Sequence, residues 1–323
     1  MQSIRRLTYF DYPKIKRLIS YLCIDGNDKL AKSLLEEPLG FLNAIFPLKL
    51  KFKPESFILT QDNEILGLIT TSNTPGNPYK INITRLIFKE NMYEIGKQLI
   101  NFAVQKYGAK GAITFTTTID ECHEELFNLF INGCGFRQCA SETLWKNERP
   151  QPQKSKLKWR YAQNSDSKKI AELYNSEIQN IYKPSLARSH REFMTPIFEG
   201  FTDFYKIRCV IEENKKILAY FSITTSDNLN YILDITKDSN YDISTEDIIN
   251  TMLCEIARKK KAFYPLIKQK KYSNKSDELE EYLKKNGYTP IQTQQILVKN
   301  YYKEVTETTS DWNVFILGEN QIT

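Results

Sequence analysis

A chain of 323 residues, 41% of them hydrophobic, can fill roughly two cores, and no run in it approaches the roughly 18 apolar residues of a membrane-spanning helix. Residues 1–150 carry 19 Lys+Arg against 16 Asp+Glu and the remainder 26 against 23, so each half is +3. Neither half is a polycation, which argues against a dedicated nucleic-acid binder, and the start MQSIRRLTYFDY has charge but no apolar segment behind it, so a cytoplasmic location is expected. In chain order, residues 4–7 read as a short strand. Asp11 then starts an amphipathic helix with Ile15, Leu18, Ile19 and Leu22 on one face, and a second helix is expected over 29–35. Two β-rich runs, 55–60 and 65–71, flank the Asp62-Asn63 turn as a hairpin. Pro75, Gly76 and Pro78 make 72–78 a loop, followed by a strand over 81–88 and a helix over 93–107 with Ile95, Leu99, Phe102 and Ala103 inward. A strand at 112–118, a helix at 124–132 and a strand at 137–145 complete the first half.

Pro150 and Pro152 interrupt the polar stretch 148–156, where fixed φ angles discourage helix and strand. The order then repeats: strand 159–162, helix from Asp166, hairpin 208–225, strand 231–235, helix 245–259, strand 262–267, helix 277–286 and strand 292–301. The letters repeat as well. Ile58 to Ser72 matches Val210 to Ser226 with Leu66 on Leu218, Asp11-x-x-x-Ile15-x-x-Leu18 matches Asp166-x-x-x-Ile170-x-x-Leu173, and Gly135-Phe136 matches Gly287-Tyr288, all at an offset of about 152. That spacing is the size of a domain. Two tandem domains are therefore expected, 1–149 and 158–323, joined by a linker at 150–157. One count is uneven: an extra strand-like run, 312–317, ends the chain and is expected to pair with the first sheet and lock the halves together.

The cysteines at 23, 122, 134, 139, 209 and 254 lack framework spacing and read as free thiols. Cys122-His123, Cys134 and Cys139 lack the paired C-x-x-C spacing of structural zinc, so no metal is expected, and neither His123 nor His190 sits by a nucleophile signature. A strand, a loop and a helix opening near glycine form an anion site, because first-turn amides lack intrahelical acceptors. Leu86-Ile87-Phe88, then Asn91-Met92-Tyr93-Glu94-Ile95-Gly96-Lys97, have this layout.

At these residues the chain resembles the GNAT N-acetyltransferases, whose acetyl-CoA pyrophosphate loop reads [QR]-x-x-G-x-[GA] before a helix. The element order and the ending Leu129-Phe130-Ile131-Asn132-Gly133-Cys134-Gly135-Phe136 extend the resemblance over nearly all of residues 1–146. It implies an α/β (α+β) fold of two tandem GNAT-like domains, each a mixed central sheet flanked by helices, with acetyl-CoA as cosubstrate on Leu86, Ile87, Phe88, Asn91, Met92, Tyr93, Glu94, Ile95, Gly96 and Lys97. Of the loop motif only Gly96 matches. Asn91 stands at the Gln/Arg position and Glu94, with its Cβ and negative charge, at the first Gly. The alternative reading is that Gly96 serves helix–sheet packing and Glu94 the helix dipole. The equivalent stretch of the second half, DITKDSNYDISTEDIINTM, has no glycine and carries Asp238, Asp242, Glu246 and Asp247, so that domain reads as a copy without cofactor that shapes the acceptor site.

The family's thiolate-protonating Tyr falls on Ile131 in the first copy and Leu283, beside Tyr282, in the second. Glu90 and Glu121 are the candidate general bases, each weighed against being a solvated carboxylate. Asp120, Glu121, Glu124 and Glu125 would attract a cationic amine, or simply suit a helix N-terminus. Arg258 to Lys261, Lys268, Lys270 and Lys271, interleaved with Tyr264 and Tyr272, suggest a small phosphate or RNA patch. The first expectation is an acyl-CoA-dependent N-acyltransferase acting on a small-molecule or peptide amine. The alternatives are a catalytically silent tandem binding protein and an aminoacyl-tRNA-dependent aminoacyl transferase, the latter the one case in which a nucleic acid, tRNA, is a partner.

Overall fold

In a computed structural model of the chain, the structure describes residues 2–11, 13–15, 55–62, 64–74, 76–88, 91–155, 157–195, 205–225, 228–260 and 262–301. The expected helix 29–35, the continuation of the first helix beyond residue 15, Glu90 and the terminal run 312–317 lie outside the described residues.

The strands of the first half are β1 (Gln2–Arg6), β2 (Glu55–Gln61), β3 (Glu64–Thr74), β4 (Asn77–Phe88), β5 (Thr114–Asp120) and β6 (Arg137–Lys146). Helix α1 (Met92–Gly108) follows β4, and α2 (Glu124–Asn128), prolonged by one π turn (Leu129–Gly133), follows β5. The second half has β7 (Arg160–Tyr161), α3 (Ser167–Glu177), α4 (Lys183–Leu186), β8 (Tyr205–Glu213), β9 (Lys216–Thr225), β10 (Asn230–Lys237), α5 (Thr245–Ala257), β11 (Tyr264–Lys270), α6 (Ser276–Lys285) and β12 (Thr289–Asn300). Between them, residues 147–155 and 157–159 carry no regular structure.

The repeated letters have repeated causes. Asp11 accepts both guanidinium nitrogens of Arg5 at 2.7 and 2.6 Å, and Asp166 takes Arg160 at 2.7 and 3.0 Å, the same six residues apart. Each carboxylate also accepts the backbone amide three residues upstream, Thr8 or Gln163, and so fixes the turn between the first strand and helix of its half. Gly135 and Gly287 stand at φ +70° and +74°, a left-handed conformation that glycine adopts without a Cβ penalty, and each turns the chain out of a helix into the last strand of its half. One expectation changes: the proline-rich stretch 72–78 is the tip of a long hairpin rather than a loop, because β3 runs to Thr74 and β4 begins at Asn77. A Cβ on Gly76 would lie 2.5 Å from Ser189 Oγ and 2.8 Å from Arg191 Cβ, so this tip docks tightly on the second half.

The two sheets are one. Among the described residues, twelve strands run in the order β1-β2-β3-β4-β5-β12-β6-β11-β10-β9-β8-β7. The last strand of each half has crossed into the other: β12 sits between β5 and β6, and β6 sits beside β11. Glu142 of β6 pairs with Gln294 of β12, and these positions are 152 apart, the repeat offset, so a pseudo-twofold axis passes through that pair. The cores follow the strands. Leu297 of β12, fully buried, packs with Leu99, Phe115 and Phe136 of the first half, while Trp145 of β6 packs among Phe221, Ile267 and Leu283 of the second and donates to Gln269 Oε1 at 2.9 Å. Strand β12 thus locks the two halves together; the expected pairing of 312–317 lies outside the described residues.

Candidate functional site

In the first half β4 and β5 are parallel for three residue pairs only, Lys80–Thr114, Ile81–Phe115 and Asn82–Thr116. Beyond them β4 continues to Phe88 against β3 alone, while β5 continues to Asp120 against β12. The cause of the divergence is local. Thr70 pairs with Arg85 and Thr71 with Ile83, which leaves Thr84 as an extra residue, and a bulge bends its strand and increases the twist. Among the described residues, the edge of β4 facing β5 from Ile83 onward has no ladder partner apart from the Thr117 hydroxyl, which donates to Ile83 O at 3.0 Å. The result is a V-shaped cleft with an unpaired strand edge, and such an edge pairs readily with an extended ligand.

Helix α1 opens at the mouth of this cleft. Asn91 stands in the left-handed region at φ 49°, ψ 51°, and its own side chain does not cap the helix. Its carbonyl accepts the amides of Glu94 and Ile95 at 3.1 and 3.0 Å, so the amides before them are the ones left without an intrahelical acceptor. Leu86 and Phe88 are half-buried and Ile87 buried, with all three side chains against the sheet and helix cores. Met92 begins the helix, Tyr93 and Lys97 are exposed with Lys97 Nζ 5.9 Å from the Tyr93 ring, and Ile95 is buried. Glu94 is exposed in the first turn, where its charge suits the dipole by about 0.3–1 kcal/mol and opposes a second anion. Gly96 is a packing residue in this structure: a Cβ there would come within 2.6 Å of Leu129 Cδ2.

Glu121 follows β5, exposed, its amide bonded to Thr293 O at 2.8 Å. Beside it Asp120 accepts Cys122 N at 3.2 Å and Gln292 Nε2 at 2.5 Å. Burial acts to raise the Asp120 pKa, but these bonds outweigh it and hold the carboxyl below its usual value. Glu124 and Glu125 occupy the first turn of α2, exposed to solvent. Ile131, at the place where a protonating Tyr was sought, is half-buried on the core of the first half.

The second half differs at every one of these points. Strands β10 and β11 stay paired for five positions, β9 and β10 pair without a bulge, and α5 is capped by Ser244 Oγ accepting from Asp247 N at 3.2 Å. Lys270, 4% exposed, bridges the end of the cleft to Asp234 at 2.7 Å and Thr236 at 2.8 Å. The buried Glu177 carboxylate accepts the Ser239 amide and hydroxyl at 3.0 and 3.3 Å, so the loop before α5 already holds an anion of its own. The cavity left there measures about 50 Å³. Sequence reasoning missed Thr84 and Glu177, and read Lys270 as part of a basic patch rather than as a buried bridge. A bulge has no letter code, and the other two are visible only as a charge at a helix end and one in a β run.

The basic patch expected around Lys268 is not continuous. Lys268 pairs with Glu142 at 3.0 Å, Lys270 with Asp234, and Tyr272 is 1% exposed, because β11 turns these positions inward, while Arg258, Lys260 and Lys271 stay on the surface. No described helix is long and apolar enough to cross a membrane. Among the described residues, no three His, Cys, Asp or Glu side chains are grouped to hold a metal.

No family model matches the chain, and no curated protein matches it in sequence. Its backbone, over 93% of its length, is similar to a tandem GNAT protein from the clavulanic acid biosynthesis pathway (10% identity, TM-score 0.58, 98% of that chain). It is similar over the same share to a GCN5-related N-acetyltransferase from Sphaerobacter thermophilus (10%, 0.61, 95%) and to one from Anabaena variabilis (13%, 0.50, 72%). With its bulged and splayed strands, its element order and its duplicated sheet, the chain has the fold of the GNAT N-acetyltransferase superfamily, in the tandem form.

Proposed function

We propose that this protein is an acyl-CoA-dependent N-acyltransferase whose carrier binds the first half, with the second half closed as a cofactor site. The observation that carries this reading is the asymmetry of the two clefts. The bulge at Thr84, the three-pair ladder and an α1 that the Asn91 side chain does not cap occur together in the first half, and the straight strand, Lys270 bridge and Glu177 carboxylate occur together in the second. A thioester carrier has an amide-bearing arm and a pyrophosphate. The free edge of β4 from Ile83 to Phe88 offers backbone donors and acceptors to the first, and the amides of Met92 and Tyr93 with the Lys97 ammonium suit the second. Glu94 is the one group in that stretch that works against it.

Acetyl-CoA, when bound, supplies an activated acyl carbonyl, and an amine acceptor displaces the thiolate through a tetrahedral intermediate. In this reading Glu121, with Glu90 as the alternative, removes the proton the amine sheds, directly or through water, and Asp120 adds negative potential at the mouth. Ile131 cannot donate a proton, so the departing thiolate takes one from water or from the acceptor. Positioning between two rigid strands then supplies most of the rate enhancement. The runner-up, a silent tandem binding protein, draws on Glu94 and Ile131. The aminoacyl-tRNA reading loses support from the burial of Lys270 and Tyr272 and from the pairing of Lys268 with Glu142.

The test is thermal stabilisation of the full chain by acetyl-CoA. At a hundredfold excess over Kd a ligand stabilises by about 2.7 kcal/mol, several degrees in Tm. Lys97→Glu, at an exposed position, should leave the ligand-free Tm in place and remove most of the shift. No shift at millimolar acetyl-CoA, or an equal shift in Lys97→Glu, would reject the carrier site.

A further inference from the structure

Beneath α3, on the face of the sheet away from α5, the second half holds charged side chains that the carrier reading does not use. At their centre is Arg188, which follows α4. Its guanidinium lies 4.7 Å over the Tyr174 ring, with Nε 3.9 Å from Glu192 Oε2, and among the described residues none of its N–H groups has an acceptor at hydrogen-bond distance. The carboxylates around it are engaged elsewhere: Asp234 by Lys270 at 2.7 Å, and Glu142 by Lys268 at 3.0 Å and the Tyr272 hydroxyl at 2.6 Å. Glu192 accepts the Ser189 amide at 2.9 Å.

These groups sit deep in the half, yet they are not sealed. The Arg188 side chain keeps 35% of its surface, Lys268 24% and Asp234 22%, while Tyr174, Tyr220 and Tyr272 beside them keep 7% or less. Side chains that combine such depth with such access face an open recess, and its wall is aromatic. Phe193 stacks on Tyr174 at 5.5 Å and on Tyr220 at 5.6 Å. Arg188, Lys268 and Lys270 stand against Asp234, Glu142 and Glu192, and Lys80 and Arg137 both bond Ser185 beside them, so the surroundings are net positive. Lys80 reaches in from the first half to donate to Ser185 O at 2.9 Å.

A fork of five donors that no described acceptor engages, facing a recess open to solvent, is available to the acceptor atoms of a ligand. The matching group is planar and singly charged. A carboxylate accepts two parallel N–H bonds from a guanidinium, whereas a doubly charged phosphate would meet Asp234, Glu142 and Glu192 at close range. We propose that this recess binds the carboxylate of a small organic acid with an apolar body, with Arg188 as its anchor. The site is separate from the proposed carrier cleft. Strands β5, β12, β6 and β11 alternate in direction, so β4/β5 and β10/β11 open at opposite edges of the sheet, and the inference stands without the acyl-transfer reading.

The experiment titrates the full chain with sodium acetate, benzoate and succinate, against inorganic phosphate and sodium chloride at equal ionic strength, by thermal shift and calorimetry. At least one carboxylate should give saturable binding that chloride and phosphate do not. Arg188→Lys, which keeps the charge and loses the fork, should weaken it about tenfold or more. Arg188→Gln should abolish it, and the exposed linker variant Arg149→Gln should leave it unchanged. Should Arg188→Gln fail to fold, Arg188→Lys decides alone. The proposal is overturned if no carboxylate exceeds chloride, if phosphate binds as well as the carboxylates, or if Arg188→Lys binds undiminished. The acetyl-CoA shift, measured on the same samples, reports separately on the first half.

Discussion

Leu297 tests whether the crossed strands carry the stability of the half they enter. It lies in β12, at the far end of the chain, is fully buried, and belongs to the core of the first half with Leu99, Phe115 and Phe136. Truncating it to alanine removes three carbons from a site lined by a sheet and α1, neither of which can collapse freely, so a cost of about 2–5 kcal/mol is expected. A domain of this size holds about 5–15 kcal/mol in all, so the loss is a large share of it. Which half suffers is the informative part. Amide hydrogen exchange, read by mass spectrometry at native pH, should accelerate in β5 and α1, more than a hundred residues from the substitution in sequence, before it accelerates in β8 and β9. The mirror variant, Trp145→Ala in β6, should cost about 3–5 kcal/mol and loosen β10 and α5 first. If Leu297→Ala costs less than about 1 kcal/mol, or loosens only the second half, the crossing is energetically unimportant and the reasoning fails.

Three further outcomes are expected. Asp234 is held down to about pH 2: burial pushes its pKa up, but Lys270, Lys268 and Arg188 outweigh that, so its contribution is intact above its unfolded value near 4 and is lost as pH falls through about 2. Lys270→Met should cost about 2–3 kcal/mol, under the ~3–5 typical of a fully buried pair because Lys268 and Arg188 remain, and acid-unfolding curves should shift to higher pH. An unchanged acid limb would show that Lys270 does not set the Asp234 charge. Deletion of Thr84 removes the bulge and lets β4 pair regularly with β3; the cleft should narrow and the acetyl-CoA shift vanish while the circular dichroism spectrum is retained, and a preserved shift would separate the bulge from the site. Finally, Ellman's reagent should reach Cys122 in the native protein but Cys209 only after unfolding, because Cys122 is exposed and burial pushes the Cys209 thiol up to about 12. Rapid native labelling of Cys209 would contradict the packing of β8.

The element order was legible because apolar periodicity and turn residues report local structure. Asp11 and Asp166, and Gly135 and Gly287, recurred for reasons that lie within a few residues of each, a capping carboxylate and a left-handed turn. The crossing of β6 and β12 was not legible. Either sheet would accept either strand by pattern, and the choice depends on the whole assembly rather than on any window of letters. Gly96 could be read as a loop glycine or a packing glycine, and the 2.6 Å approach to Leu129, which no window of letters shows, establishes that a packing constraint acts there. Lys268 and Lys270 looked like a basic surface because charge suggests exposure; Lys268 turns inward onto Glu142, carried in on a strand of the other half, and Lys270 onto Asp234 of its own half.

Since each half borrows its final ladder from the other, the peptide between them is a tether more than a joint. A protease that nicks the proline-rich stretch around residue 150 would leave two fragments clasped by unbroken backbone hydrogen bonds on both sides of Glu142 and Gln294. By the same logic, neither half can be swapped for a foreign relative unless the incoming piece brings a strand that the resident sheet accepts.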